Sequence, residues 1–156
     1  LRWGASPYDL DSHLVGPAVN GNGKFHIYYG RRSYYQDGSY SPDKAQYVAD
    51  LDYDDVSSYG PEIITIHKLT PGDYYFYVHD FSNLTSSTST ALARLGANVK
   101  VYSGSSGTPI ETYEADSISA GNLWSVFKLN ISLGGRLTFT PINGYSYNSN
   151  PSSVGN

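Results

Sequence analysis

Cysteine and methionine are both absent from the 156 residues. Without cysteine there is no disulfide framework and no thiolate to serve as nucleophile or zinc ligand. Oxidation therefore has almost nothing to attack. Basic residues are few: ten Lys plus Arg stand against fourteen Asp plus Glu, for a net charge of −4. They are scattered, so the phosphate-neutralising patch of a nucleic-acid binder is missing. No apolar run approaches the roughly 18 residues that a spanning helix needs. The chain opens on LRWG with no signal-peptide pattern, as a mature or excised fragment would.

Tyrosine is abundant, with 16 residues against five Phe and two Trp. Its ring packs while its hydroxyl stays hydrated, which suits strands with one buried and one wet face. Low charge, 15% of residues, and the abundance of Ser, Thr, Asn, Gly and Tyr point to an extracellular or cell-surface protein of a bacterium or archaeon.

Apolar and polar residues alternate along most of the chain, and no helical period is sustained. Strands are predicted over Tyr8–Val15, Lys24–Tyr29, Ala45–Tyr53, Glu62–Lys68, Asp73–Phe81, Ala97–Tyr102, Pro109–Ala115, Leu123–Ile131 and Arg136–Pro141. Turn signals separate them: GNG at 21–23, DG at 37–38, PGD at 71–73, GSSG at 104–107 and GG at 134–135. An all-β fold follows, an antiparallel β-sandwich of jelly-roll or Ig-like type with about nine strands. One helical turn is expected at Thr90–Leu95, and loops at 30–44 and 82–91. Residues 1–142 form the single domain; 143–156 read as a low-complexity tail or linker. A sharper reading of that tail, or of the first residues, is an extended segment that pairs with a sheet edge of the next molecule.

The most informative stretch is WGASPYDLDSHL. Strand geometry puts Asp9, Asp11 and His13 on one face, and Tyr8, Leu10, Ser12 and Leu14 on the other. Adjacent carboxylates repel unless a cation or donor lies between them. A second run, ADLDYDD, places Asp50, Asp52 and Asp54 on one face, then passes through a turn to Glu62. Together Trp3, Asp9, Leu10, Asp11, His13 and Leu14, then Asp52, Asp54, Asp55, Tyr59, Gly60, Pro61 and Glu62, then Pro71, Gly72, Tyr74 and Val78 resemble the YfaP-like (DUF2135) bacterial domain family. The resemblance covers the first half of the chain and implies a secreted or periplasmic β-sandwich of unestablished role. A looser similarity is to prepeptidase C-terminal-type domains, which are calcium-bearing accessory modules.

Oxygen ligands without cysteine favour hard cations, calcium above all. The candidate ligands are Asp9, Asp11, Asp52, Asp54, Asp55 and Glu62. Alternatively these carboxylates cap turns, face water, or pair with Arg2, Arg31 or Arg32. His13, His26, His67 and His79 offer a transition-metal reading, with His67 and His79 on neighbouring strands.

In DYYFYVHDF, Tyr74, Phe76 and Val78 form the row expected in the core. Tyr75, Tyr77 and His79 form the other, which with Tyr34 and Tyr35 is a candidate ligand-binding strip that stacks on sugar rings. Trp124 is expected in the core. Sequons at Asn83 and Asn130 are candidate glycosylation sites. No GxSxG, HExxH, P-loop or Cys–His pattern occurs, so no enzyme is expected. The expected function is a non-catalytic extracellular structural or adhesion module, calcium-stabilised and part of a surface assembly. Its partners would be neighbouring domains or other copies, met through sheet edges. The alternatives are a carbohydrate-binding module that uses the tyrosine strip and a carboxylate-dependent hydrolase.

Overall fold

The computed structural model describes residues 1–41, 46–94, 96–115 and 118–156. The expected strand start at Ala45, the loop positions 42–44 and the expected helix end at Leu95 lie outside the described residues.

The alternating segments form β1 (Leu10–Pro17), β2 (Lys24–Ile27), β3 (Ser33–Tyr35), β4 (Tyr47–Tyr53), β5 (Ile63–Ile66), β6 (Gly72–Asp80), β7 (Asn98–Val101), β8 (Glu111–Glu114), β9 (Leu123–Ile131) and β10 (Leu137–Ser146), with one helical turn, α1 (Ala91–Arg94). All strand pairs are antiparallel. A five-stranded sheet runs β10-β9-β6-β1-β2; β3-β4-β5 and β7-β8 form two smaller sheets. The architecture is an all-β sandwich. The smaller sheets supply Tyr34, Val48, Ala49, Leu51, Val99 and Tyr113 to the same core as Leu10, Leu14, Tyr74, Phe76, Val78 and Trp124 of the large one.

Each expected strand is present, and β3 is an addition inside the segment read as a loop. Two bulges explain what alternation alone misses. In β9 the register with β6 slips between Phe76 and Tyr77. Trp124 and Val126 therefore point into the core at one parity, and Phe127, Leu129 and Ile131 at the other. In β10 a second slip falls between Pro141 and Gly144. There Asn143 takes a φ of 47° and its Oδ1 accepts from Trp124 Nε1 at 2.7 Å. The strand, expected to end at the Pro and Asn-Gly signals, thus runs on to Ser146.

The tail read as a spacer is folded against the sheet, which corrects that expectation. Asn148 is held from both sides by the fully buried Asn122: its N–H donates to Asn122 Oδ1 at 2.8 Å and its carbonyl accepts from Asn122 Nδ2 at 2.9 Å. Asn150 caps a 3-10 turn at Pro151–Ser153. Val154 is fully buried, and Gly155 lies against Val15 so closely that a Cβ there would meet Val15 Cγ2 at 2.6 Å. The tail covers the outer face of β1 and β6.

The turn before β5 carries Glu62 to the sheet. Gly60 has a φ of 71°, and a Cβ on it would lie 2.8 Å from Trp3 Cζ3. Gly60→Ala should cost about 2 kcal/mol through backbone strain and crowding of a buried ring. The expected signature is a melting temperature lower by about 4–8 °C; an unchanged melt would show that the turn does not need glycine.

Candidate functional site

β2 stops opposite Leu14, so the first half of β1 has no strand neighbour on that side. The Glu62 carboxylate takes that place, with Oε2 accepting a short hydrogen bond from Ser12 N. This brings Glu62 beside Asp11. Asp54, just past the end of β4, completes a group in which one oxygen from each of Asp11, Asp54 and Glu62 lies within 4.8 Å of the others. Asp9 joins them along a cavity of about 140 Å3 lined by Asp9, Asp11, Asp54, Tyr29, Val56 and Phe81.

Asp11 is 3% exposed and Glu62 1%. Among the described residues, Asp9 Oδ1, Asp11 Oδ2, Asp54 Oδ1 and Glu62 Oε1 are buried with no hydrogen-bond partner. Arg32 reaches only the rim, 4.0 Å from Asp54 Oδ2. Burying carboxylates without compensation drives them to the neutral form. Burial, aided by Asp9, Asp54 and Asp80, pushes the Asp11 carboxyl up to about 8. Burial, aided by Asp11 and Asp54 and opposed by the Ser12 hydrogen bond, takes Glu62 up to about 9. Burial together with Asp54, Asp55 and Asp80 raises Asp9 to about 6. Such a pocket holds either protons or a cation.

Two of the six expected ligands lie elsewhere. Asp52 bonds Thr65 Oγ1 in a separate, more exposed group with Asp50 and His67, where His67 Nε2 sits 2.6 Å from Asp50 Oδ1. Strand parity explains this: Asp50 and Asp52 share the outer face of β4, whereas Asp54 lies beyond the strand end. Asp55 caps its own turn, accepting from Ser57 N and Oγ, both at 2.8 Å. Tyr29, Phe81 and Asp80 were not anticipated. Asp80 stands opposite Leu10 in the β1–β6 ladder, a juxtaposition that only the register reveals.

The expected tyrosine strip is not a platform. The β3–β4 register slips at Val48 of β4, and both tyrosines of β3 are buried: Tyr34, 3% exposed, stacks on Phe25 at 4.7 Å, and Tyr35, 2% exposed, on Tyr47 at 5.0 Å. Tyr75 and Tyr77 are half-buried and 6.5 Å apart, with Lys24 and Lys128 flanking Tyr75. His79 is fully buried and hydrogen-bonded through Nε2 to Asn148 O at 2.8 Å.

His79 belongs instead to a buried histidine group under the tail. His13 Nδ1 contacts His26 Nε2 at 2.8 Å, the His13 and His79 rings are 5.6 Å apart, and Tyr28 stacks on His13 and His26. Burial, then the neighbouring His26 and His79, holds His13 well below the usual imidazole range. Burial, with Arg31, lowers His26 to about 4. His67 lies on the other layer, so it does not neighbour His79 as expected. The sequon amides are engaged: Asn83 Nδ2 donates to Asp80 Oδ2 at 2.8 Å and Asn130 Nδ2 to Asp73 Oδ1 at 2.7 Å.

No family model matches the chain, and no curated protein matches it. Among solved structures it is similar to a homologue of the telluride resistance protein TerD from Streptomyces coelicolor A3(2). That likeness has a TM-score of 0.57 and 16% identity over 97% of this chain and 89% of that one. These findings correct the YfaP-like and prepeptidase-type resemblances: neither gains a family match, and the likeness that spans the whole fold is to a different protein. They also overturn the expected extracellular adhesion module and the surface location, together with the glycan-binding alternative. Those readings rested on surface-protein composition and an exposed tyrosine strip, of which Tyr34, Tyr35 and His79 are buried and Tyr75 and Tyr77 half-buried. What the chain and the TerD homologue share is the fold.

Proposed function

We propose that this protein is a non-catalytic β-sandwich that binds a divalent cation through Asp9, Asp11, Asp54 and Glu62. The observation that carries the reading is the set of buried, unpartnered carboxylate oxygens converging on one cavity. An all-oxygen set rich in carboxylates selects a hard cation, and calcium tolerates its irregular geometry better than magnesium does. The cation would tie β1 to the end of β4 and to the turn before β5, neutralising charges that otherwise require protons. One oxygen from each of Asp11, Asp54 and Glu62 lies within 4.8 Å of the others, a convergence that one shared cation would bridge. The TerD homologue's link to telluride resistance reaches this chain as fold analogy alone. A carboxylate-lined cavity would repel an anion such as telluride, so a cation-linked role is the form such an activity would take here.

Titration calorimetry of chelator-treated protein with calcium chloride tests the reading. One site per chain is expected. Its apparent enthalpy at pH 7 should vary with the ionisation enthalpy of the buffer, because Asp11 and Glu62 release protons on binding. Asp11→Asn and Glu62→Gln should each weaken binding at least about tenfold, whereas Asp52→Asn should leave it unchanged. Absence of saturable heat, or equal loss on Asp52→Asn, would sink the assignment.

A further inference from the structure

Half of the wall of the acidic cavity has little to offer a metal ion. Asp9, Asp11 and Asp54 line it together with Tyr29, Val56 and Phe81, and the side chains of Val56 and Phe81 carry no ligand atom. These last three come from separate places in the chain: Tyr29 follows β2, Val56 follows the acidic run past β4, and Phe81 follows β6. The rings of Tyr29 and Phe81 are 5.5 Å apart at an interplanar angle of 78°. Two rings at right angles form a corner whose inner surfaces are ring faces, and those faces carry partial negative charge. Among the described residues, no Lys or Arg stacks on either ring.

The acids beside them are short of donors. Asp11, 3% exposed, has no hydrogen bond at Oδ2, and Asp9 has none at Oδ1. Among the described residues, no Lys or Arg forms an ion pair with either. Asp9 stands outside the group of oxygens that Asp11, Asp54 and Glu62 bring within 4.8 Å of one another, and it is only half-buried. One divalent cation offsets two of the four carboxylate charges, so the cavity keeps a negative surplus, which its apolar wall focuses. A ligand that answers these features has a positive charge, N–H donors for carboxylate oxygens, and a short apolar stem for the aromatic corner. The volume, about 140 Å3, is that of about four or five waters at roughly 30 Å3 each, enough for an ammonium head and a few carbons.

We propose that this cavity binds the primary ammonium group of an alkylamine, its N–H groups on Asp9 and Asp11 and its stem against Tyr29, Val56 and Phe81. The amine is a second ligand beside the divalent cation, and it rests on the cation reading only for the two carboxylates that the sites share. An N–H-bearing head is selected over a quaternary one, because a carboxylate accepts hydrogen bonds and a fully methylated nitrogen has none to give. Attraction of the ring faces for a cation, stronger where water is excluded, separates an ammonium from a neutral alcohol of the same shape.

Titrating n-butylammonium chloride into calcium-saturated and into chelated protein, followed by NMR, should move the amides of Tyr29, Val56 and Phe81 saturably in both. Sodium chloride at the same ionic strength should not. The neutral n-butanol should bind at least about tenfold more weakly, and tetramethylammonium should also be weaker. Phe81→Leu keeps an apolar side chain but removes a ring face; it should weaken the amine about fivefold or more and leave calcium affinity unchanged. Tyr29→Phe, which keeps the ring, should retain amine binding. Putrescine and Nα-acetyl-lysine methylamide distinguish a free polyamine from a lysine side chain: saturable binding of either supports the site, and their order of affinity identifies the source. The proposal is overturned by the absence of saturable shifts in both states of the protein, or by equal affinity for n-butanol or tetramethylammonium. Displacement of the amine by calcium would also overturn it, because the amine would then only be substituting for the ion. Calcium heat without amine shifts would refute this site alone, and amine shifts in chelated protein without calcium heat would refute the cation reading alone.

Discussion

Raising the pH of the cation-free protein from 5.5 to 9 is expected to lower its melting temperature by about 10 °C or more, and saturating calcium should cancel most of that loss. Asp11 and Glu62 titrate near 8 and 9 in the folded chain, against about 4 when unfolded. The folded state therefore holds more protons than the unfolded one throughout that window, and stability must fall as pH rises through it. Each tenfold difference in proton affinity between the folded and unfolded chain is worth about 1.4 kcal/mol, and a chain of this length moves by about 2–4 °C per kcal/mol. Calcium binds the deprotonated carboxylates, so its contribution grows with pH while the protonic one fades. At a hundredfold excess over Kd it adds about 2.7 kcal/mol.

The histidines act in the opposite sense. His13 and His26 are held neutral by burial, so their contribution is present above about pH 6.5 and is lost as pH falls through their lowered folded values. The cation-free protein should thus be most stable near pH 5–6 rather than at neutrality. Asp11→Asn provides the internal control: without calcium the variant should be more stable than wild type at pH 8, and with calcium less. Thermal melts of chelated and calcium-loaded protein across pH 4–9 measure all of this. A flat profile above pH 6 would refute the buried-carboxylate account.

Deleting residues 147–156 is expected to cost about 5 kcal/mol, or about 10–20 °C in melting temperature for a chain of this size. The deletion removes the fully buried Val154, whose burial is worth roughly 1.5–3 kcal/mol. It also strips Asn148 from the buried Asn122 and from His79, and buried polar groups left unpaired cost about 1–3 kcal/mol each. Opened to water, His13, His26 and His79 should regain ordinary imidazole titration, visible by NMR as a rise of the His26 value from about 4. Were the segment a spacer, its removal would change neither the melt nor the histidines.

The tail shows why sequence patterning runs out where it does. Asn143-Gly144 and the run from Tyr147 to Asn156 carry turn and linker composition, and nothing local opposes that reading. What holds them is distant: Trp124 Nε1 on Asn143, and Asn122 on Asn148. Similarly, Tyr34 and Tyr35 lie in a polar stretch that reads as a loop, yet pairing with β4, with a one-residue slip in the register, accompanies the burial of both. Alternation specifies faces only while the register is unbroken, and bulges are set by partners elsewhere in the chain.

Sequence by itself determined the all-β class, the segments that became strands, the core row Tyr74, Phe76 and Val78, and the placing of Asp9 and Asp11 on one side of the chain where it enters β1. Each of these follows from a two-residue period that any strand must obey. Only the tertiary structure decided which acids meet. It drew Asp54 and Glu62 to Asp11 because β2 stops short of Ser12 and leaves an N–H for Glu62 to satisfy. It sent Asp52 to Thr65, and it sealed the histidines beneath a tail whose composition promised nothing of the kind. A cation site depends on distances between oxygens some 40–50 positions apart, and burial alone turns those oxygens from solvated charges into ligands.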